Sequence, residues 1–379
     1  MKADIVVSSE IVRSARVVQL EGIFDIPPTE RAELSWKVDL PIEERPWNVG
    51  LIVGPSGCGK STVARKLLGE CMRERFEWSW NRAIVDGFPP SMGISEVVEL
   101  LSAVGFSSPP SWLRPFGVLS TGQQFRAHIA RLLAEELPIS VVDEFTSTVD
   151  RTVAQVGSAA ISKTVRRRGQ KFVAVTCHDD VVPWLDPDWV YRPAEQQFGW
   201  RELQRRPAIP LTIQRVPATA WRLFKHHHYL TASINPTAAC FCAFWGDRPV
   251  AFDAWLPFVG KLKDERKARR GHRTVCLPDF QGVGIGNALF SFCASVWRGL
   301  GYRAFSCTGH PAEMRHRARS KDWKMTRKPS QTGRDSGRLS KTMGQARAVG
   351  RLTASFEYVG PAMERAQANS VLNTWAYGC

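Results

Sequence analysis

The stretch that decides the fold is Val49-Gly50-Leu51-Ile52-Val53 followed directly by Gly54-Pro55-Ser56-Gly57-Cys58-Gly59-Lys60-Ser61-Thr62. A buried strand that leads through a glycine-rich loop into a helix binds phosphate, because loop N–H groups and the positive end of the helix dipole face the anion. In this pattern Lys60 reaches the β- and γ-phosphate oxygens and Ser61 gives its hydroxyl to Mg²⁺. The sequence therefore predicts a nucleoside triphosphate site whose binding residues are Gly54, Ser56, Gly57, Gly59, Lys60, Ser61 and Thr62.

The chain of 379 residues is long enough for two domains. Its apolar runs are strand-sized and fall short of the roughly 20 residues that span a bilayer, and the start Met1-Lys2-Ala3-Asp4 has no signal-peptide pattern. Nine cysteines occur without a C-x-x-C pair, which favours reduced thiols over disulfides or a zinc site. We therefore expect a soluble cytoplasmic protein without a membrane partner.

The net charge of +15 is concentrated in one part of the chain. Residues 1–206 carry 25 basic and 26 acidic side chains, whereas residues 207–379 carry 26 basic and 10 acidic ones. An excess of this size attracts polyanions, so we expect a nucleic-acid partner, with DNA favoured over RNA. A basic surface that serves only solubility is the alternative.

Further motifs follow the phosphate loop in a fixed order. Leu119-Ser120-Thr121-Gly122-Gln123 precedes a predicted helix at 125–136, and a predicted strand at 139–142 ends at Asp143-Glu144. Another predicted strand at 172–176 leads to His178. Together these motifs resemble the ATP-binding cassette ATPases, whose signature sequence, Walker B strand and switch histidine occur in this order. The middle of the signature is Thr121 where glycine is usual, and the Q-loop glutamine is missing, with Asp86 nearest to its place.

The resemblance implies a role for each of these residues. Asp143 would hold Mg²⁺ together with Ser61, Glu144 would orient the attacking water, and His178 would contact the γ-phosphate of ATP. The signature residues would bind the nucleotide of a second copy of the chain, which implies an ATP-dependent homodimer; they are Ser120, Gly122 and Gln123.

A polar, proline-containing segment at 196–210 is predicted to link two domains. Beyond it the sequence predicts a β-hairpin (239–245 and 248–255), a strand at 273–278, a helix at 287–300 and a strand at 302–307. The loop before this helix reads Gln281-Gly282-Val283-Gly284-Ile285-Gly286. This arrangement resembles the GNAT acyltransferases, which implies that all six loop residues hold the pyrophosphate of acetyl-CoA or another acyl-CoA. A dinucleotide-binding turn and a structural glycine-rich loop remain alternatives.

The run His226-His227-His228-Tyr229 resembles a segment of Mom-type phage enzymes, which are GNAT-like and modify adenine in DNA. The resemblance implies that His228 acts as a base or binds an anion and that Tyr229 donates a proton or stacks on a base. A helix end with exposed histidines is the alternative. Asp253 and Glu357 are further candidate carboxylates, with structural roles as their alternative.

The segment 311–351 is rich in Arg and Lys and contains Trp323. Such a segment can neutralise phosphates while the aromatic side chain stacks on an unpaired base, and a solvated loop is the alternative.

We therefore predict an α/β chain in which a P-loop ATPase domain of the ATP-binding cassette type (1–195) is joined by a linker (196–210) to a GNAT-like α+β domain with a mixed sheet (211–379). The predicted function is ATP-coupled acyl transfer from a CoA-type donor to a nucleic-acid base. A protein N-acyltransferase and a non-catalytic ATP-dependent nucleic-acid clamp are the alternatives.

Overall fold

In a computed structural model the described residues are 1–72, 76–201, 208–228, 233–258, 267–331 and 352–375. Two compact units make up this part of the chain. The first unit holds Met1–Phe76, Glu135–Val149 and residues 162–201. The second holds Glu77–Ala134, Asp150–Ile161 and the described residues from 208 onward.

The strands in chain order are β1 (Lys2–Glu10), β2 (Arg31–Asp39), β3 (Val49–Val53), β4 (Ser140–Val142), β5 (Phe172–Thr176), β6 (Trp189–Arg192), β7 (Gln197–Trp200), β8 (Thr212–Val216), β9 (Ala239–Trp245), β10 (Arg248–Pro257), β11 (Ala268–Cys276), β12 (Arg303–Thr308), β13 (Trp323–Gln331) and β14 (Leu352–Tyr358). The helices are α1 (Ala15–Phe24), α2 (Lys60–Leu68), α3 (Ile94–Ala103), α4 (Pro109–Trp112), α5 (Thr121–Ala134), α6 (Arg151–Arg168), α7 (Val181–Leu185), α8 (Ile285–Gly299), α9 (Pro311–Arg319) and α10 (Arg365–Asn373).

The first unit is built on a five-stranded sheet with the order β4-β5-β3-β6-β7. The first four strands are parallel and β7 is antiparallel to β6. The apolar run that opens the sequence argument is β3, and all five of its residues are buried, as expected for a parallel strand covered on both faces. Strands β1 and β2 form a separate antiparallel ribbon that packs on the same core through Ile5, Trp36 and Val38.

Strand β7 lies inside the range 196–210 that the sequence predicts to be a linker. Its residues pair with β6 in register from Trp189 opposite Trp200 to Arg192 opposite Gln197. The ring of Phe198 also stacks on Trp189 at 6.0 Å between centroids. The five-stranded sheet therefore extends to Trp200, and residues 202–207 of the predicted linker lie outside the described residues.

The second unit contains a mixed seven-stranded sheet with the order β13-β14-β12-β11-β10-β9-β8. The predicted hairpin is β9 and β10, which turn at Gly246 with φ +58°. Strands β11 and β12 run parallel, and their pairing is limited to Ala268–Arg270 against Arg303–Phe305. The two strands therefore diverge towards their carboxyl ends.

Helix α8 covers one face of this sheet. Its buried residues Leu289, Phe290 and Trp297 join a core that also contains Phe241 and Trp255. The ring of Phe290 lies so close to β11 that a Cβ at Gly271 would be 2.5 Å from it. Glycine at position 271 therefore allows helix and sheet to pack closely.

Helices α3 to α5 and residues 151–161 of α6 are grouped with the seven-stranded sheet rather than with the five-stranded one. The division of the chain into an ATPase domain at 1–195 and a second domain at 211–379 remains a prediction. The helix expected at 125–136 is α5, which begins at Thr121 and ends at Ala134. Within the described residues, every helix is too short or too polar to cross a bilayer.

Candidate functional site

The phosphate loop between β3 and α2 has the backbone shape that its glycines allow. Gly57 and Gly59 have φ values of +82° and +91°, a region that side chains with a Cβ rarely adopt. A Cβ at Gly59 would lie 2.4 Å from the ring of Trp36, whose Nε1–H donates to the carbonyl oxygen of Cys58 at 2.9 Å. The β1–β2 ribbon thus holds the loop directly at the N-terminus of α2.

Side chains that fit Mg²⁺ and phosphate meet at this loop. The Oγ of Ser61 lies 3.1 Å from Oδ1 of Asp143, at the end of β4. Hydroxyl and carboxylate oxygens are the ligands that Mg²⁺ prefers, so this pair fits the predicted metal site. The ammonium group of Lys60 donates to the carbonyl oxygen of Pro55 at 2.7 Å, within the same loop. The donor set therefore fits a magnesium-bound triphosphate.

Glu144 follows Asp143 in a left-handed backbone conformation with φ +52°. Its N–H donates to Oδ1 of Asp143 at 2.9 Å, and the next N–H, of Phe145, donates to the carbonyl of Val175 at 2.8 Å. Because Phe145 is buried and Glu144 is exposed, this turn directs Glu144 away from the core. The strain of a positive φ at a non-glycine residue is frequent at functional sites.

His178 follows β5, and its N–H donates to Oγ1 of Thr176 at 3.3 Å. Strand β5 lies between β4 and β3 in the sheet. Since these strands are parallel, their carboxyl ends, which lead to Asp143, His178 and the phosphate loop, lie along one edge of the sheet. The structure thus brings the predicted ATP and Mg²⁺ residues of the first unit to one edge.

The signature residues lie in the second unit at the start of α5. The N–H of Ser120 donates to Oε1 of Gln123 at 3.1 Å, and the N–H of Gln123 lies 3.4 Å from Oγ of Ser120. This reciprocal pair caps the helix. Ser120 is exposed, while Gly122 packs beside Val153 of α6. The signature therefore presents a serine hydroxyl and a helix N-terminus on the surface of this unit.

The first half of the second glycine-rich loop, at Gln281 and Gly282, packs against neighbouring segments of the second unit. The side chain of Gln281 is buried, accepts from the N–H of Ser107 at 2.6 Å and donates to the carbonyl of Cys276 at 2.8 Å. A Cβ at Gly282 would lie 2.7 Å from Cα of Gly105. Both residues therefore contact neighbouring chain segments, and their binding of a pyrophosphate stays a prediction.

The second half of the loop is more open. Gly284 has φ +98°, stands at the N-cap of α8, and would have no atom within 4 Å of a Cβ. Ile285 packs into the core, Val283 packs partly against it, and Gly286 lies beside Cys276, so any anion contact from these residues comes from the backbone. The loop therefore fits a pyrophosphate only at Gly284 and the first N–H groups of α8.

Arg126 is a residue that the sequence analysis missed. It is fully buried, and its guanidinium donates to the carbonyls of Pro278 at 2.8 Å and Asp279 at 3.1 Å. Burial lowers the pKa of Arg126 to about 10, partly offset by the charge of Asp279. An arginine among the apolar residues of one helix face was the available signal. It holds the segment before the glycine-rich loop against α5.

His228 is buried and meets Trp221 edge-on, with ring centroids 5.5 Å apart. Tyr229 lies outside the described residues. Burial lowers the pKa of His227, and a repulsive contribution from His226 adds to this effect. The structure therefore places His228 in the protein interior rather than on an exposed helix end.

The two candidate carboxylates of the second unit are structural. Asp253 is fully buried and accepts from Nε1–H of Trp255 at 2.5 Å and Oγ1–H of Thr274 at 2.8 Å. Burial raises the pKa of Asp253 to about 7. Glu357 forms a bidentate ion pair with Arg303 at 2.7 and 2.6 Å.

Trp323 is buried in the core and cannot stack on an unpaired base, so this expectation was wrong. Its ring packs against Phe290 and Tyr358 at centroid distances of 5.5 and 5.0 Å. Arg317, from the same basic segment, is also buried, with its guanidinium 5.3 Å from the Trp323 ring. The exposed basic residues of β13 are Lys324, Arg327 and Lys328. Residues 332–351 of the predicted basic segment lie outside the described residues.

A second polar group surrounds the start of α9, and the sequence analysis missed it as well. It contains Thr308 at the end of β12, His310 at the N-cap of α9, and Glu313 and Arg317 in the helix. Nη1 of Arg317 lies 3.3 Å from Oε2 of Glu313 and donates to Oγ of Ser306 at 2.6 Å. The spacing of three and four residues along one helix was the available signal.

Comparisons with known proteins concern the cassette. No family model matches the chain. The cytochrome c biogenesis ATP-binding export protein CcmA of Chelativorans sp. (strain BNC1) is 29% identical over 156 residues, which cover 33% of this chain and 76% of that protein. CcmA of Rhodospirillum rubrum is 27% identical over 182 residues, covering 40% of this chain and 77% of the relative.

Among solved structures, the dimeric post-hydrolysis cassette MJ0796 with ADP and phosphate has a TM-score of 0.36 at 18% identity, covering 45% of this chain and 94% of that one. A bacterial Atm1-family exporter has a TM-score of 0.33 at 20% identity over 42% of this chain, which spans about a third (34%) of the exporter's length. From the curated relatives we conclude that the chain carries an ATPase domain of the ATP-binding cassette type over about a third to a half of its length.

Proposed function

We propose that this chain is an ATPase that couples nucleotide turnover to acyl transfer, from a CoA-type thioester to an amine on a nucleic-acid base. The cassette similarity and the pairing of Ser61 with Asp143 support the ATPase half. The support for acyl transfer, which we call the transfer half of the proposal, comes from the second unit alone.

The observation that carries the transfer half is the divergence of β11 and β12 beside an open helix N-terminus. The parallel pairing ends at Arg270 and Phe305, and the following residues of β11 pair with β10. Helix α8 connects the two strands and begins at the open position Gly284. An opening between strands next to a helix N-terminus suits an extended donor with a diphosphate.

The contacts of α5 support coupling between ATP turnover and acyl transfer. Helix α5 starts at the signature, and Arg126 lies about 9 Å further along the helix at 1.5 Å per residue. Because Arg126 holds the carbonyls of Pro278 and Asp279, a displacement of α5 on nucleotide binding would also displace the segment that precedes α8. The Gln281–Ser107 hydrogen bond adds a second connection.

The proposed roles of the cassette residues follow from their positions. Lys60, Ser61 and Asp143 would hold the triphosphate and Mg²⁺, whose bound form supplies a phosphoanhydride activated for attack by water. Exposed Glu144 would accept a proton from that water, and His178 would orient the γ-phosphate. Exposed Ser120 would reach the nucleotide of a second copy, so we propose an ATP-dependent homodimer.

The nucleic-acid partner is supported by charge. Residues 207–379 carry 26 basic and 10 acidic side chains, and β13 presents Lys324, Arg327 and Lys328 on an edge strand. Basic residues along an exposed strand can follow a phosphate backbone. The curated relatives are named export proteins, so a membrane-associated partner is the second candidate.

Mass spectrometry of nucleosides from cells that produce the protein tests the proposal. We expect an acylated nucleoside with the wild type and none with Lys60→Ala, while Lys66→Ala, an exposed change on the same helix, matches the wild type. No modified nucleoside in any strain would overturn the transfer function. Label from acetyl-CoA on protein would then favour a protein acyltransferase, ATP-dependent DNA retention alone a clamp, and co-purification with a membrane protein the transport-type partner.

A further inference from the structure

The β1–β2 ribbon continues beyond the part of it that packs on the core of the first unit. Its inner part joins that core through Ile5, Trp36 and Val38. From residue 6 to residue 35, by contrast, no residue is buried. This stretch, which we name the arm, holds the outer parts of β1 and β2 and the whole of α1. A two-stranded ribbon and a ten-residue helix are each marginally stable in water on their own, so the arm needs further cover.

The arm exposes a large amount of apolar surface. Nine of its large apolar side chains are 45–83% exposed, among them Val12, Val18, Leu20, Ile23, Phe24 and Leu34. Together the nine side chains present on the order of 500 Å² of apolar surface. A stable dimer interface buries about 800 Å² on each partner, of which about 60% is apolar. The arm therefore has the apolar area that one side of such an interface needs.

The two faces of β2 have different chemistry, because successive side chains of a strand point to opposite faces. One face is apolar and is formed by Ala32, Leu34, Trp36 and Val38. The other face is polar and fully exposed, and it is formed by Arg31, Glu33, Ser35, Lys37 and Asp39. On the apolar face Leu34 lies opposite Val7 of β1, and both are exposed. The face that packs on the core therefore continues uncovered into the arm.

Strand β2 has an edge that can accept another strand. Among the residues that the structure describes, β1 and β2 form a sheet of two strands only. Strand β1 also lies beside α2, whereas β2 is nine residues long and contains no proline. A long strand edge without a partner is a template for pairing with another chain.

The charges of β2 are complementary to those of the same strand in the reverse direction. When two copies of β2 run antiparallel with Ser35 opposite Ser35, Arg31 faces Asp39 and Glu33 faces Lys37, and symmetry repeats each pair. A shift by two residues in one direction places Arg31 opposite Lys37. The same shift in the other direction places Glu33 opposite Asp39. Like charges therefore disfavour both neighbouring registers, and one register is selected.

We propose that the arm is a dimerisation element, in which β2 pairs with β2 of a second copy of the chain to form a four-stranded sheet. A two-fold axis passes through the pair of Ser35 residues. Because the strands are antiparallel, the outer part of each β2 lies beside the inner part of the other, and Leu34 lies opposite Trp36 of the second copy. Each arm thereby reaches towards the core of the other copy, which covers its apolar face. This dimer needs no nucleotide, unlike the ATP-dependent homodimer proposed above.

The charge of the arm argues against two other occupants. Its thirty residues include five acidic and three basic side chains. Lipid surfaces and nucleic acids attract segments with an excess of basic residues. A second copy of the arm uses both signs of charge, so it fits this composition better.

Sedimentation equilibrium of the nuclease-treated full chain, without nucleotide, measures the association. We expect a dimer at about 10 µM, since interfaces of this size have micromolar to picomolar affinities. Glu33→Lys and Lys37→Glu should each weaken the dimer at least about 10-fold, because like charges then face each other twice. An equimolar mixture of the two variants should restore the association, because every substituted side chain then faces an opposite charge. Glu70→Lys, an exposed change outside the arm, should match the wild type.

A cross-link tests the register. Directly opposite residues of antiparallel strands have Cα atoms about 4.5–5.5 Å apart, a distance that a disulfide spans. With diamide as oxidant, Ser35→Cys should give a covalent dimer linked through position 35, as identified by peptide mass spectrometry. Ser8→Cys, an exposed change on β1 away from the two-fold axis, should give no dimer linked through position 8.

These measurements use neither ATP nor CoA, so their outcome is independent of the proposed function. A wild type that is monomeric without nucleotide would overturn the inference, and so would a mixture of Glu33→Lys and Lys37→Glu that fails to restore the dimer. Binding of a monomer to anionic vesicles, or association that nuclease removes, would overturn it in favour of a lipid surface or a nucleic acid. Unchanged circular dichroism and ATP binding of each variant establish that it is folded.

Discussion

Replacing Arg126 with methionine is the sharpest test of how α5 is joined to the segment before α8. The substitution keeps an unbranched, space-filling side chain but removes the guanidinium that donates to Pro278 and Asp279. The change lies inside one compact unit, so its first effect should be local. We expect the segment 276–286 to open more often while the five-stranded sheet is unaffected.

The magnitude follows from two opposing contributions. Hydrogen bonds from a charged donor contribute about 1.5–3 kcal/mol each. The cost of burying the charge opposes this stabilisation. The pKa of Arg126 falls from 12.5 to about 10, which corresponds to about 3 kcal/mol. The carbonyls of Pro278 and Asp279 lose their partner in the variant. A net destabilisation of about 1–3 kcal/mol results, and Arg126→Ala should cost more because it also leaves a cavity.

Hydrogen exchange with mass spectrometry measures this opening directly. Peptides that cover 103–113 and 276–288 should exchange about 10-fold faster or more in Arg126→Met, since 1.4 kcal/mol corresponds to a factor of ten. The N–H of Ser107, which donates to Gln281, is the most informative amide. Arg114→Met, an exposed change in the same unit, is the matched control and should leave both peptides unchanged.

Two results would refute this reasoning. Exchange in Arg126→Met that equals the wild type would mean that the two hydrogen bonds do not restrain the loop. Faster exchange with fully retained ATP dependence of the transfer reaction would mean that the Arg126 contact does not couple nucleotide turnover to transfer.

Further predictions concern single sites. Glu144→Gln should keep ATP binding, lower phosphate release about 100-fold and accumulate dimer in light scattering, whereas wild-type turnover would contradict its role. Gly282→Ala should destabilise the second unit by more than about 2 kcal/mol in urea titrations, because its Cβ would meet Gly105 at 2.7 Å; a neutral result would contradict this close packing. The contribution of Asp253 to the free energy of unfolding should decrease as the pH rises from about 4 to about 7. Its pKa is raised from 3.8 to about 7 in the folded chain, so the folded chain keeps a proton that the unfolded chain loses. Asp253→Asn should flatten this slope in thermal melts, and an unchanged slope would refute the assignment.

Local patterns were sufficient for much of the fold. The run 49–53 is a buried parallel strand because five consecutive apolar residues before a glycine-rich loop have few alternatives. The hairpin of β9 and β10 also follows its predicted limits closely, since Gly246 supplies the positive φ of its turn. The strands before Asp143 and His178 were also predicted, because each is a short apolar run.

Long-range packing could not be predicted in the same way. Gln281 matched a donor-binding motif, yet its side chain bonds Ser107, 174 residues away, and no local pattern reports such a partner. Trp323 stood among basic residues, but its ring packs in the core against Phe290 and Tyr358, which are distant in sequence. The pattern of α5 could indicate that Arg126 is buried, but its partners, the carbonyls of Pro278 and Asp279, are distant in sequence and could not be predicted from α5 alone.

Isothermal titration of the full chain with ATP and with CoA tests the central claim, that two separate backbone sites bind a triphosphate near Lys60 and a diphosphate near Gly284. We expect one site for each ligand, with Lys60→Ala losing ATP binding and keeping CoA binding unchanged. No heat from CoA, or displacement of CoA by ATP, would contradict the account.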